Sequence, residues 1–410
     1  MDDVEVVIVG AGAAGIAAAR RLVGASIRCL MIEARPRLGG RAWTVVDDSG
    51  FAMDLGCGWL HSADRNPWVA VARELNVPID TSLPSWARPS PAIGFPQSAQ
   101  REYRREMDEF FTRLERIEDR DSDLPASAYL DPASRWRNLI VAVGTYISGA
   151  EFDLVSAKDL NRYADSHVNW RARGGLGGLI GAAGAHLPCM LDCPVTGVDH
   201  RSHRVTVETA KGAMTADQVI VTIPSTLLAA ERLAFTPALP DKTAAALGLP
   251  LGLADKLFMA LDAADEFGSD TRIFGHTDRV GTGAYQFRPG GAPRIEAYFG
   301  GACAAELEAG GDGAFFDFAV AELTGLFGNA FAKRIKPLGI HRWGHDPFAL
   351  GSYSYALPGF ADARKTLAAS VDDRLFFAGE ACSVADYSTA HGGWLTGTAA
   401  AEQVIAVRGK

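Results

Sequence analysis

Gly10-Ala11-Gly12-Ala13-Ala14-Gly15 is the segment of this chain whose residue types and spacing most directly promise chemistry. In such a turn the first glycine permits a tight bend, the second lets backbone approach a pyrophosphate, and the third lets a helix pack against a strand. The helix that follows offers unpaired amides and a positive dipole end to phosphate charge. Glu33 comes about 20 residues later, where an acid can bind a ribose hydroxyl. Arg35, Arg37, Gly39, Gly40 and Arg41 follow at once. A glycine pair gives close backbone approach, and an arginine beside it can neutralise diphosphate; Arg37 reads as solvated surface. The chemistry promised is dinucleotide binding, and a glycine turn without a ligand is the alternative that residue types leave open.

These residues need particular elements to position them. Val4 to Val9 is a short apolar run suited to a strand buried on both faces of a parallel sheet, and Ile27 to Ile32 is a second. A helix from Ala13 to about Val23 joins them. Asn66-Pro67 reads as an N-cap with proline in the first helical position. Pro84 to Pro96 is loop. From Gln100 to Arg120, Tyr103, Met107, Phe110, Leu114 and Ile117 fall on one face of an amphipathic helix. Ser134 to Tyr146 and Lys158 to Ala164 continue the helical segment. Beyond the glycines of Gly174 to Gly178, short strands at Val195–Val198, Val205–Glu208 and Val219–Ile223 return to the nucleotide domain. Strands at Lys256–Leu261, Ala284–Phe287 and Ile295–Phe299 suit a second, antiparallel sheet, with a helix at Asp312–Phe327. The chain closes with the strand Leu375–Ala378, a loop, and a helix from Gly392 to about Val407. The fold class is α/β and α+β: a Rossmann-like domain (1–80, 172–255 and 337–410) interleaved with a substrate domain of antiparallel sheet plus helices (81–171 and 256–336).

A chain of 410 residues can hold two joined domains, and 48% hydrophobic with 22% charged residues is ordinary globular composition. A net charge of −9 argues against nucleic acid as a partner. The six cysteines show neither CxxC nor metal-ligand spacing and read as reduced thiols, so no metal is expected. No basic segment precedes the first strand, apolar stretches are strand-sized, and Arg408-Gly409-Lys410 carries no apolar tail; a cytoplasmic protein without membrane contact, monomeric or homodimeric, is expected.

The chain resembles the flavin-containing amine oxidases, and within them the spermine and acetylpolyamine oxidase branch. The resemblance is carried by Val6 to Arg41, Asp54-Leu55-Gly56-Cys57-Gly58-Trp59-Leu60-His61, Asn66-Pro67, Ala216 to Pro224, Gly252 to Lys256, Trp343 to Pro347, Gly351 to Tyr355, Phe376 to Glu380 and Tyr387 to Gly392. It is thinnest at 82–171 and 263–336. It implies FAD and hydride removal from the carbon next to an amine onto flavin N5, followed by imine hydrolysis and reoxidation by dioxygen.

The resemblance also implies roles. Lys256 matches the lysine that contacts N5 through a water and assists reoxidation; read alone, it is a strand-start lysine whose apolar neighbours make an unbonded ammonium costly. His61 matches a histidine beside the substrate amine, where an imidazole can accept a proton. Tyr353 matches one wall of an aromatic cage, and Thr389 replaces the second cage tyrosine of monoamine oxidases. Ser352 stands where those enzymes carry the flavin-linked cysteine, so FAD is expected to be non-covalent. Gly10, Gly12, Ala14, Gly15, Glu33, Arg35, Gly40, Arg41, Gly58, Trp59, Leu60, Val195, Gly379, Glu380, Thr389 and Ala390 match cofactor positions. His391 is either substrate-facing or a cap.

The expected function is oxidation of a primary or secondary amine, a polyamine foremost, with release of hydrogen peroxide. Polyamine specificity needs carboxylates in the tunnel, and Asp165 is the candidate. The alternatives are a dehydrogenase or desaturase acting on a non-amine substrate, and a non-catalytic flavin redox sensor. An amino-acid oxidase is disfavoured because no arginine is seen placed to bind a carboxylate after the Asp54–His61 segment. A histone demethylase is disfavoured because no chromatin-binding domain or long helical insertion is present.

Overall fold

The computed structural model describes residues 4–409, so Met1 to Asp3 and Lys410, which enter the reading of both termini, lie outside it. Val6–Val9 forms the middle of a five-stranded parallel sheet in the order Leu375–Phe377, Gln218–Val221, Val6–Val9, Cys29–Ile32, Cys189–Met190. All four residues of the middle strand are buried, as a strand covered on both faces requires. The side-chain alternation of a strand sends Val6 and Ile8 to one face and Val7 and Val9 to the other. The first face packs on the helices Ala13–Gly24, Leu176–Gly184 and Ala390–Arg408. The second packs on a four-stranded sheet built from Val195–Asp199, Val205–Thr209, Gly212–Ala216 and Ala234–Thr236. The strands at Val195 and Val205 thus form a separate layer; among the three expected there, Gln218–Val221 alone joins the parallel sheet.

A five-stranded antiparallel sheet follows, in the order Thr271–Phe274, Ala284–Phe287, Arg294–Gly300, Ala254–Leu261, Ile335–Ile340. One face is a dry core in which Leu257, Met259, Ile295, Phe299, Phe287 and Ile273 meet the helices Gly301–Gly310 and Asp312–Phe327. The opposite face carries Lys256, Tyr298, Ala284 and Phe274 in one cross-strand row and Phe258, Glu296, Gln286 and Arg272 in the next. Opposite this second face stand the helices Gln97–Leu114 and Arg137–Ser148, which share a core with Phe274 and Ala284. The first of them starts at Gln97, after Pro96 at its N-cap, and stops at Leu114, short of the expected Arg120; beyond it the chain turns where Glu118 N donates to the Asp121 carboxylate. Ala157–Arg162 is a short helix capped by Ser156.

Candidate active site

A cavity of about 1500 Å³ runs from the glycine turn to the antiparallel sheet and its helical wall. Small-molecule sites enclose roughly 300–1,000 Å³, so this one has room for an extended cofactor and a second, smaller molecule.

At the turn end, Gly10 has φ +101°, and a Cβ on Gly15 would lie 2.0 Å from the Gly10 carbonyl oxygen. That approach seats the helix Ala13–Gly24 on the strand with its N-terminus at the cavity, where Gly12 and Ala14 line the wall. The Glu33 carboxylate accepts from Ala11 N at 2.8 Å and Arg35 N at 2.9 Å, which keeps it at the mouth of the turn. Gly40 and Val195 also line this end.

The arginines differ from their sequence reading. Arg35 lines the cavity, but its guanidinium is held in a two-pronged ion pair with Asp346, at 2.8 and 2.7 Å, and is not free for diphosphate. Burial would raise Asp346, but bonds from His341 and Arg35 hold its carboxyl well below the usual range. Arg37 is half-buried rather than solvated: it lies over the Trp43 ring at 4.4 Å and donates to the Leu38 and Gly40 carbonyls. Burial lowers it to about 10. Arg41 bridges the Ser352 carbonyl at 2.9 Å and Glu380 at 2.8 Å. Glu380 also accepts from Ser354 Oγ at 2.6 Å and Ser388 N at 2.8 Å, so it ties the loop after Gly379 to the cavity wall.

At the sheet end, Lys256 is 4% exposed and lies on an interior strand, so it is not a solvated edge residue. Its Nζ donates to the Asp54 carbonyl at 2.9 Å, pairs with Glu296 at 3.3 Å and lies 5.1 Å from the Tyr298 ring centroid. Burial pulls the ammonium down, but Tyr298, Glu296 and Asp54 outweigh it and hold Lys256 above its ordinary value. A Cβ on Gly58 would lie 3.3 Å from that Nζ, so the glycine leaves the ammonium its place.

His61 lines the cavity, and its Nδ1 meets Asn169 Oδ1 at 2.6 Å. An amide oxygen only accepts, so Nδ1 carries the hydrogen and Nε2 keeps its lone pair. Burial lowers His61, which favours the neutral ring. Trp59 meets Trp86 at 4.4 Å between centroids, with Arg171 at 4.9 Å over its ring. The Tyr353 hydroxyl donates to the Tyr146 carbonyl, which leaves its ring to the cavity. Thr389 caps the helix Ala390–Arg408 by accepting from Gly392 N, and Thr389 and Ala390 put that helix N-terminus at the cavity.

Some sequence candidates stand apart. Leu60 is fully buried in the core, and its backbone N–H and C=O are both taken by Trp170, at 2.8 and 3.1 Å; it does not line the cavity. His391 is buried against Asp386 at 3.1 Å and does not line it either. Asp165 lies on the lining, but it is exposed and bonded to the His167 amide. Sequence reasoning missed Tyr298, Glu296, Asn169, Trp86, Tyr103 and Arg272. Tyr298 sits directly across from Lys256, a neighbour that only strand register reveals.

A family model described as flavin containing amine oxidoreductase matches residues 13–135 and 93–405. The chain belongs to this family. Among curated proteins it is 28% identical to polyamine oxidase 4 of Oryza sativa subsp. japonica, over 97% of this chain and 88% of that one. Polyamine oxidase 2 of Arabidopsis thaliana is likewise 28% identical, with 97% and 87% covered. Lysine-specific histone demethylase 1 homolog 2 of Arabidopsis thaliana is 26% identical, with 98% and 58% covered. A putrescine oxidase double mutant with redesigned cofactor binding superposes with TM-score 0.77 at 19% identity, covering 98% of this chain and 99% of that one, which bears on the fold alone.

This amine oxidoreductase is therefore an FAD enzyme, and the cavity fits that cofactor: a glycine cradle, the Glu33 carboxylate beside it, and two helix N-termini at its wall. Ser352 exchanges hydrogen bonds with the Ala254 backbone, at 2.9 and 3.1 Å, and has no thiol to offer. Cys57, the thiol on the lining, is pushed up to about 12 by burial. The FAD is held without a covalent bond.

Proposed function

We propose that the chain oxidises a primary or secondary amine to the imine, which water converts to aldehyde and amine, with dioxygen as final acceptor and hydrogen peroxide released. Bound FAD supplies the acceptor for the hydride leaving the carbon next to nitrogen. The observation that carries this reading is that buried Lys256, which Tyr298 and Glu296 hold above its ordinary value, and His61, which burial lowers, line one cavity with Gly58 and Trp59.

An amine must be neutral before its neighbouring carbon can give up hydride. The free Nε2 lone pair of His61 can take or hold that proton, and Asn169 fixes the ring for the task. Lys256 would offer a positive charge to bound flavin from the cavity wall and could hold a water there. Trp59, Tyr353 and Tyr298 exclude bulk water and offer ring surface to the amine. In this reading Gly10, Gly12, Ala14, Glu33, Gly40, Arg41, Val195, Gly379, Thr389 and Ala390 bind FAD, while Gly15 and Arg35 act through packing and through Asp346.

Residues 1–80, 172–255 and 337–410 would form the FAD domain, and 81–171 with 256–336 the substrate domain. A cytosolic monomer or homodimer that binds no nucleic acid completes the proposal. Among the described residues no helix is long and apolar enough to cross a membrane. The names of the curated relatives support a polyamine as substrate. The acids that line the cavity support it less: Glu33 and Glu380 are engaged by backbone and Arg41, and Asp108, Glu115 and Asp165 are exposed.

Anaerobic mixing of the FAD-loaded protein with primary, secondary and poly-amines tests the reading. Loss of the flavin's visible absorption is expected. A flavin that no amine bleaches would return the non-amine desaturase or the redox sensor.

A further inference from the structure

Arg272 lies on the cavity-facing side of the antiparallel sheet, opposite Gln286, with its guanidinium carbon 4.6 Å from the Phe274 ring centroid. Its guanidinium forms no ion pair and no hydrogen bond with any described residue. The buried arginines are each ion-paired, Arg35 with Asp346, Arg364 with Asp159 and Arg294 with Asp47, and half-buried Arg37 donates to two carbonyls. Around Arg272 stand neutral phenols instead, those of Tyr103, Tyr146 and Tyr298. Tyr146 spends its hydroxyl on the Thr282 carbonyl, at 2.7 Å, and Tyr298 bonds Lys256. The Tyr103 hydroxyl has no partner among the described residues, and its ring is fixed by Phe95, Trp136 and Phe274. Desolvation on the cavity wall lowers Arg272, with no carboxylate to offset it. Arg272 is half-buried on the cavity lining.

We propose that the missing partner is part of the substrate: the amine carries a carboxylate, bound by the Arg272 guanidinium with the Tyr103 hydroxyl as a second donor. This rests on the amine-oxidation reading above. A guanidinium and one phenol match a singly charged, planar, two-oxygen acceptor better than a doubly charged phosphate.

Position sets the spacing. The strand of Arg272 lies three strand intervals from that of Lys256, roughly 14 Å at the backbone. A separation of that order favours an amine and a carboxylate on different carbons. The geometry points to an ω-amino carboxylate, a chain with its reacting nitrogen at one end and its anion at the other. A diamine of equal length would instead bring an ammonium to Arg272.

The FAD-loaded protein is assayed with ω-aminohexanoate and ω-aminooctanoate, with hexane and octane diamines, and with n-hexylamine. The amino carboxylates should show the higher kcat/KM. Arg272→Met should lower their kcat/KM by about 30-fold or more, chiefly through KM, and leave n-hexylamine within about twofold. Arg272→Lys should recover part of the loss. Hexanoate should perturb the spectrum of the oxidised flavin, with its Kd raised at least about tenfold in Arg272→Met and with hexanamide inert. Flavin content equal to wild type shows that each variant is folded. Preference for diamines, with the amino carboxylate KM and the hexanoate Kd unmoved in Arg272→Met, would overturn the proposal. If no amine bleaches the flavin, the oxidase reading falls, and hexanoate binding still decides for or against Arg272.

Discussion

The two ends of the cavity are built on opposite rules. At the turn end, positions come from neighbours in sequence: Glu33 is bonded to Ala11 and Arg35, and Arg37 to Leu38 and Gly40. Its charges are answered within the protein, Arg35 by Asp346 and Arg41 by Glu380. At the sheet end, partners also come from other parts of the chain, but one charge is left unanswered. His61 meets Asn169, Lys256 meets Asp54 and Tyr298, and Arg272 meets no counter-ion. The first end is finished before any substrate arrives. The second is left incomplete in charge, and that incompleteness can select what enters.

Breaking the finished end should have the largest effect on stability. Arg35→Met leaves the Asp346 carboxylate buried without its cation and should lower stability by about 3–5 kcal/mol. Chemical denaturation at constant m-value reads this; a shift under about 1 kcal/mol would mean that His341 suffices for Asp346.

At the incomplete end, chemistry should suffer and the fold much less. Lys256→Met should slow reoxidation of the reduced enzyme by dioxygen by about 10²-fold with FAD still bound, as stopped-flow absorbance would show. An unchanged rate would leave Lys256 a structural partner of Glu296. His61→Ala should slow flavin reduction by at least about tenfold and leave reoxidation alone. Asn169→Ala should reproduce part of that loss by freeing the ring.

The smallest effect is one of pH. Because burial lowers His61, the unfolded chain binds that proton first. The stability tied to a neutral His61 is complete above about 6.5 and is lost as pH falls below it, towards the lower folded value. His61→Gln should flatten that part of the stability profile by at most about one proton; an identical slope would place His61 in contact with solvent.

The same contrast explains what the sequence revealed. Val6–Val9, the glycine turn, its helix and Glu33 form a local program, so the turn end could be read directly. Lys256 was legible as a strand residue, but Tyr298 across from it depends on antiparallel register, which no local pattern encodes. The strand of Arg272 has four residues and follows the turn at Gly268–Asp270, too short for its alternation to stand out. Arg37 was misread because its cover, Trp43 and two carbonyls, belongs to the folded loop. Leu60 was misplaced because the backbone bridge to Trp170 turns its side chain into the core.

Anaerobic stopped-flow absorbance of the FAD-loaded protein mixed with amines tests the central claim most directly. The account predicts full loss of the oxidised flavin spectrum with a terminal amine, at a rate that His61→Ala reduces. A protein that takes up no FAD, or a bound flavin that no amine reduces, would contradict it.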